Sequence, residues 1–177
     1  MIRAFFPAVL GIALLTSTPT FAAGADAEAL VEAAAALPPG KYLWQDDVTA
    51  GPVSVLISIP DQKAYVYRGE QLVAVSTVST GKEGNDTPVG SFTILQKKAM
   101  HHSNLYDDAP MPFMQRLTWG GVALHAGRVP GYPASHGCIR LPREFARKLY
   151  GITRFGSTIV VVAGEPLATA KEARELA

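Results

Sequence analysis

The chain has 177 residues, and its 16 lysines and arginines against 15 aspartates and glutamates give a formal net charge of +1. This length suits one domain with a sizeable core. The balanced charge argues against the basic stripe of a nucleic-acid-binding protein, so no nucleic-acid partner is expected. The sequence contains one cysteine, Cys138, which excludes an internal disulfide.

Residues 1–25 have the pattern of a secretory signal peptide. Arg3 supplies a positive start, Ala4–Leu15 is an apolar run, and cleavage is predicted after Ala22 or Ala25 in the small residues that follow. The apolar run is shorter than the ~20 residues that span a bilayer, so no stable membrane anchor is expected. The sequence therefore predicts export to the periplasm or cell envelope, where a chemical role would explain a lone thiol.

Residues 26–52 are expected to form an N-terminal spacer. Within it, Asp26–Ala36 is alanine-rich and predicts a short surface helix that ends at Leu37-Pro-Pro-Gly40. A weakly ordered segment is the alternative, because alanine-rich helices of this length are marginal in water.

Residues 53–163 are expected to form the main domain, and residues 164–177 a polar tail. Short runs rich in valine, isoleucine and threonine alternate with turn residues, and no long helix separates them. The predicted strands are Val53–Ile59, Ala64–Tyr67, Leu72–Thr80, Gly90–Gln96, Trp119–His125 and Ser157–Ala163. This pattern predicts a mainly β, largely antiparallel fold, either a sandwich or a barrel.

One short helix is predicted over Pro142–Tyr150. Proline is favoured at the start of a helix, and Phe145 and Leu149 share a face that is expected to pack in the core. Gly151 is expected to end the helix.

The segment Lys97–Thr118 is irregular and lies between strands, which is typical of a functional loop. We expect a flap over the site, in which Tyr106, Met111 and Phe113 offer apolar surface to a peptide. The adjacent pair His101-His102 has no cysteine or carboxylate at ligand spacing, so no metal site is expected.

The residues around Cys138 are typical of a reactive thiol. Gly137 removes a side chain where a substrate carbonyl would approach the sulfur, and the backbone N–H groups of Gly137 and Cys138 are expected to hold an oxyanion. His125 lies across a loop rich in glycine and proline, which is expected to return it to the sulfur as general base. His136 is the alternative base, but on a strand it would point along the chain and not at the sulfur.

The run Ser135-His136-Gly137-Cys138-Ile139-Arg140-Leu141, preceded by His125-x-Gly127, resembles the signature of the L,D-transpeptidase (YkuD-type) catalytic domain. Thr87–Ile94 is similar to a strand entry of that family, and Val53–Tyr67 is similar to its opening hairpin. The resemblance extends from Val53 to Val162. It implies the L,D-transpeptidase fold, with one short helix after the cysteine.

By this resemblance, Cys138 is the nucleophile, His125 donates and accepts protons, and His136 supports the pocket. In some members the third catalytic contact is a backbone carbonyl beside the base histidine, which Ala126 would supply here. The expected substrate contacts are Arg140, Ser135, Tyr132, Tyr106 and Phe113. A hydrogen-bonded anchor for the cysteine loop is the alternative role of Arg140.

The resemblance also implies the reaction, which is transfer of an acyl group through a thioester without a cofactor. Donor and acceptor would be peptidoglycan tetrapeptide stems, and carbapenems are expected to acylate the same sulfur. Water as acceptor would make an L,D-carboxypeptidase, and a protein amine would make an enzyme that attaches proteins to the wall. A catalytically silent wall-binding module is the alternative from another class. A redox protein is disfavoured, because no second thiol is present to resolve a disulfide.

Overall fold

The computed structural model describes residues 22–45, 50–104 and 108–167, and for residues 22–28 it describes the backbone alone. Residues 1–21 of the predicted signal peptide and the tail from residue 168 lie outside this part. Two helices are described, α1 (Ala22–Ala35) and α2 (Arg143–Ile152). The described strands are β1 (Tyr42–Trp44), β2 (Val53–Ser58), β3 (Lys63–Arg68), β4 (Gln71–Thr77), β5 (Gly90–Thr93), β6 (Gln96–Lys98), β7 (Met114–Arg116), β8 (Ala123–Ala126), β9 (Ile139–Leu141) and β10 (Ile159–Ala163).

The strands form two sheets. The larger has the order β1-β4-β3-β2-β10-β5, and the smaller has the order β6-β7-β8-β9. Pairing is antiparallel except between β2 and β10 and between β8 and β9. The mainly β architecture predicted from the sequence is therefore confirmed, with a short helix after Cys138 and a second helix near the N-terminus.

The main hydrophobic core joins one face of the large sheet to the small sheet and α2. Val55 and Ile57 of β2 point into this core, whereas Leu56 between them points to the opposite face of the sheet. Successive strand residues alternate between faces, so a strand with apolar residues throughout is buried on both sides. The large sheet is accordingly a middle layer that needs cover on its outer face.

Helix α1 supplies that cover. Leu30 and Ala34 lie one turn apart and are buried against Leu56, Tyr65 and Val75 of the large sheet. The helix begins at Ala22, four residues before the predicted start, and packs on the sheet as the predicted surface segment. Within the residues described, neither helix is long and apolar enough to cross a membrane.

Helix α2 buries Phe145, Ala146 and Leu149 in the main core. The ring of Phe145 lies 5.6 Å from that of Tyr42 and 5.4 Å from that of Trp44, measured between centroids. The prediction that Gly151 ends the helix is wrong, because α2 continues through Gly151 to Ile152. Gly151 does not adopt the left-handed conformation by which glycine ends a helix.

The predicted flap is more regular than its sequence indicates. The pairing of Lys98 with Met114 continues outward, because Phe113 donates a hydrogen bond to Ala99, Met111 to His101, and Ser103 to Ala109. Residues 99–104 and 108–113 therefore form the two sides of a hairpin arm, and residues 105–107 lie outside the described part. This arm could not be predicted as two strands, because it is rich in histidines, methionines and prolines and poor in the β-branched residues typical of strands.

Candidate active site

The pairing of β8 with β9 determines which side chains meet. Leu124 lies opposite Ile139, and His125 lies opposite Arg140. Leu124 and Ile139 point into the main core, so the alternation of the strands turns His125 and Arg140 to the other face. Cys138 directly precedes β9 and lies two residues before Arg140, so its side chain is on that same face.

A cleft of about 500 Å³ opens on this face. The hairpin arm borders it on one side, and the turn before Cys138 borders it on the other. Its lining includes His101, Asn104, Met111, Arg116, Gly121, His125, Arg128, Ser135, His136, Cys138, Arg140 and Arg143. The structure thus brings the predicted cysteine, both candidate base histidines, Ser135 and Arg140 to one cavity.

His125 is 8% exposed and held by its own strand. Its Nδ1 lies 2.9 Å from the carbonyl oxygen of Ala126, so the neutral ring can donate from Nδ1 and leave Nε2 as an acceptor. Burial lowers the pKa of His125, the contact with Ala126 opposes this, and the positive charges of Arg140 and His101 add to it. The imidazole is therefore neutral, and available as a base, to a lower pH than an exposed histidine.

Burial raises the pKa of the Cys138 thiol. The backbone N–H of Ala123 and the charges of Arg140 and Arg116 act in the opposite direction without overcoming it. The sulfur lies 3.6 Å from the carbonyl oxygen of Gly121, to which the thiol can donate. The resting thiol is therefore protonated, and a base is needed to make it nucleophilic.

Ser135 holds the turn that presents Cys138. Its hydroxyl donates to the carbonyl of Cys138 and accepts from the N–H of Gly137 at 3.1 Å. Gly137 has a φ of +105°, which disfavours residues with a side chain, and its carbonyl accepts from Thr87 Oγ1 at 2.9 Å. The N–H of Gly137, expected to hold an oxyanion, is thus engaged inside the turn.

His136 also lines the cleft, but it lies in this turn and not on a strand. The strand-based argument against His136 as the base is therefore wrong, because β9 begins at Ile139. What distinguishes His125 is its place on β8, with one ring nitrogen held by a backbone carbonyl.

The remaining predicted contacts are distributed unevenly. Arg140 lines the cleft, and its backbone pairs with Ser79 in both directions, at 2.9 and 3.0 Å. Tyr132 is 59% exposed and Phe113 packs near Tyr150, with ring centroids 6.0 Å apart. The structure brings neither ring into the cleft lining.

Tyr106 lies outside the described residues. The described residues contain no group of three or more histidine, cysteine, aspartate or glutamate side chains that could hold a metal ion.

Arg116 is a cleft residue that could not be predicted from the sequence. It lies opposite Ala123 in the pairing of β7 with β8, so its side chain emerges on the face of Cys138 and His125. A charge in the segment Met114–Leu117, which begins and ends with an apolar residue, was the available signal. Without the strand register, nothing in the sequence related that charge to Cys138.

Comparisons with known proteins identify a family for this fold. A family model described as YkuD, the L,D-transpeptidase catalytic domain, matches residues 52–162, which is more than half of the chain. L,D-transpeptidases are transferase-type enzymes. No curated protein matches the chain.

Solved L,D-transpeptidases share the fold. One from Stackebrandtia nassauensis is 26% identical with a TM-score of 0.59, covering 70% of this chain and 62% of that chain. One from Xylanimonas cellulosilytica is 25% identical with a TM-score of 0.57, covering 65% and 62%. L,D-transpeptidase 3 from Mycobacterium tuberculosis, solved with a faropenem-derived adduct, is 24% identical with a TM-score of 0.57, covering 64% and 60%. The chain spans 60–62% of the length of these structures. From the family match and these folds, the chain belongs to the YkuD family of L,D-transpeptidase catalytic domains.

Proposed function

We propose that the chain is a cysteine-dependent L,D-transpeptidase that acts on peptidoglycan stem peptides through a thioester. The observation that supports this most is the β8–β9 register. With this register, the side chains of His125 and Cys138 are directed to the same face of the small sheet. Both residues line one cleft. A buried thiol that shares a cleft with a neutral, oriented imidazole fits general-base activation of a nucleophile.

In the first half of the reaction, Cys138 Sγ attacks the donor carbonyl carbon while His125 Nε2 accepts the thiol proton. The carbonyl π electrons move to the oxygen and form a tetrahedral oxyanion. Its collapse restores the carbonyl, breaks the peptide bond and expels the terminal D-Ala, whose nitrogen takes the proton from His125. The product is a thioester between Cys138 and the shortened stem.

In the second half, an amine of another stem attacks the thioester carbonyl and His125 accepts its proton. The C–S bond breaks as the new amide forms, and His125 returns the proton to the sulfur. Water in place of the amine would release the shortened stem as a free acid. The acceptor therefore decides whether the product is a cross-link or a trimmed stem.

The negative charge of the tetrahedral state needs nearby donors. The N–H of Gly137 donates to Ser135, so we assign the main backbone contact to the N–H of Cys138. The guanidinium groups of Arg116 and Arg140 add positive charge near the sulfur, because the charge of each lowers the pKa of the Cys138 thiol. Gly137 contributes mainly by the open approach that a missing side chain leaves.

We further propose that the protein works outside the cytoplasm, in the periplasm or cell envelope. The signal-peptide pattern of residues 1–25 supports this, and a wall substrate requires it.

A tetrapeptide stem ending in D-Ala tests the proposal directly. We expect the wild type to release D-Ala and to join two stems, and the Cys138→Ala variant to do neither. Release of D-Ala without joined stems would assign the carboxypeptidase reaction. Binding of stems by both proteins with no release from either would contradict the proposal in favour of a wall-binding module.

A further inference from the structure

Arg116 lies on β7, next to the strand β8 that carries His125. Ala123, its partner across the β7–β8 pairing, lowers the pKa of the Cys138 thiol through its backbone N–H. Arg116 lines the same cleft as Cys138 and as His101 of the hairpin arm, and its charge lowers the pKa of both. Arg116 is therefore a positive charge in the same cleft as the nucleophile and the arm.

The described residues leave one N–H of the Arg116 guanidinium without an acceptor. Its Nε is buried and has no hydrogen-bond partner among the described residues. No described aspartate or glutamate lines the cleft, whereas Arg128, Arg140 and Arg143 line it together with Arg116. A buried guanidinium N–H without a partner is costly to leave unpaired, and a planar carboxylate satisfies it with two parallel hydrogen bonds.

We infer that Arg116 is a specificity-determining residue that binds a free carboxylate of the donor stem. This inference rests on the proposed function. Arg140 extends from β9 at the other side of His125, and its side chain lies over Gly127, where an added Cβ would be 3.1 Å from Arg140 Cγ. The two arginines thus flank the place where the scissile bond would lie.

Two carboxylates of a stem could meet Arg116. One is the terminal carboxylate of D-Ala, and the other is the side-chain carboxylate of the diamino acid. Their chemistry is the same, so donors with one or the other converted to a carboxamide distinguish them. An amide keeps the size of the group but loses the charge and one acceptor oxygen.

The test compares kcat/KM for acylation with three donors, namely the free acid and the two monoamides. For Arg116→Gln we expect a loss of about 10- to 100-fold with the free acid, since charged hydrogen bonds are being removed. The same loss is expected with the amide at the carboxylate that Arg116 does not touch. With the amide at the carboxylate it does touch, the variant and the wild type should differ less than about threefold, because the interaction is already absent.

Arg154→Gln is the matched control, because Arg154 is exposed outside the cleft and loses the same charge. It should behave as the wild type with all three donors. Alkylation of Cys138 by neutral iodoacetamide checks that Arg116→Gln is folded with an accessible sulfur. Arg116→Lys keeps the positive charge but loses the two parallel hydrogen bonds of a guanidinium. Its kcat/KM with the free acid should therefore lie between those of the wild type and Arg116→Gln.

An equal loss in Arg116→Gln with all three donors would overturn the inference, because Arg116 would then act on the sulfur and not on a carboxylate. Unchanged kinetics in that variant would overturn it as well. In both cases turnover by the wild type would leave the proposed function standing. Failure of the wild type with every donor would instead contradict the proposed function.

Discussion

His125 and Cys138 have displaced pKa values, and burial is the first cause of each displacement. A buried imidazole resists protonation, and a buried thiol resists deprotonation. Both shifts favour the neutral pair over an ion pair of thiolate and imidazolium. The chemistry proposed for this cleft is therefore proton transfer during attack, and not attack by a thiolate that exists beforehand.

This protonation state predicts the pH dependence of acylation. Because the pKa of His125 is lowered, its base form persists below the ordinary histidine value of about 6.5, and the rate should decline only below that pH. Because the pKa of Cys138 is raised, thiolate should become detectable only above the ordinary thiol value of about 8.5. Acylation rates measured across pH, beside the ultraviolet absorbance of the thiolate, check both limbs.

A strong thiolate signal at neutral pH would contradict this account. It would mean that the cleft stabilises the ion pair in spite of burial. The Cys138→Ala variant supplies the absorbance baseline.

At the residue scale the sequence was informative about chemistry and silent about geometry. Cys138, His125 and Ser135 could be selected because the signature near the cysteine combines unusual residue types. The use of the Gly137 N–H by Ser135 could not be predicted, because it depends on how one turn closes. Arg116 could not be predicted, because its position relative to the Cys138 sulfur depends on the pairing of three strands, β7, β8 and β9.

At the element scale, α2 connects the cysteine strand to the core. It starts at Arg143, two residues after β9 ends at Leu141, and its buried residues Phe145 and Leu149 hold it against the core. Lys97 caps its end, because Nζ donates to the carbonyls of Tyr150 at 2.6 Å and Thr153 at 2.7 Å. The helix could be predicted from its apolar spacing, but its end could not, since a lysine from β6 caps it from outside.

Gly151 in this helix gives a stability prediction. Its conformation is helical, it is exposed, and an added Cβ would meet nothing within 4 Å. Gly151→Ala should therefore raise the free energy of unfolding by about 0.5–1 kcal/mol, since glycine costs this much inside a helix. Denaturant unfolding measures the change.

Gly156 offers the matched control. It has equal space around it, but its φ is +71°, where an alanine is strained. Gly156→Ala should lower the free energy of unfolding by about 1–2 kcal/mol. Equal effects at the two positions would contradict the helical assignment of Gly151.

At the scale of the whole molecule, three layers are stacked. Helix α1 covers the outer face of the large sheet, and the main core separates that sheet from the small sheet with the cleft. The β content could be predicted from the alternation of valines and turns. The covering role of α1 could not, because Leu30 and Val31 are the only large apolar residues in the alanine-rich helix Ala22–Ala35.

The cover by α1 predicts a loss of stability without a loss of chemistry. Leu30→Ala should lower the free energy of unfolding by about 2 kcal/mol, because it leaves a cavity against the sheet. Glu32→Ala on the exposed side of the same helix should change it by less than about 0.5 kcal/mol. Acylation per folded molecule should be unchanged in both variants, and an equal stability in the two would show that α1 does not pack as described.

The central claim is that Cys138 forms the acyl-enzyme with His125 as its base. Intact-mass spectrometry of the purified protein with a carbapenem tests it most directly. We expect one covalent adduct on the wild type, none on Cys138→Ala, and formation slowed by about 100-fold or more in His125→Ala. An adduct on Cys138→Ala would contradict the claim. So would the lack of any adduct on a folded wild type with a free thiol.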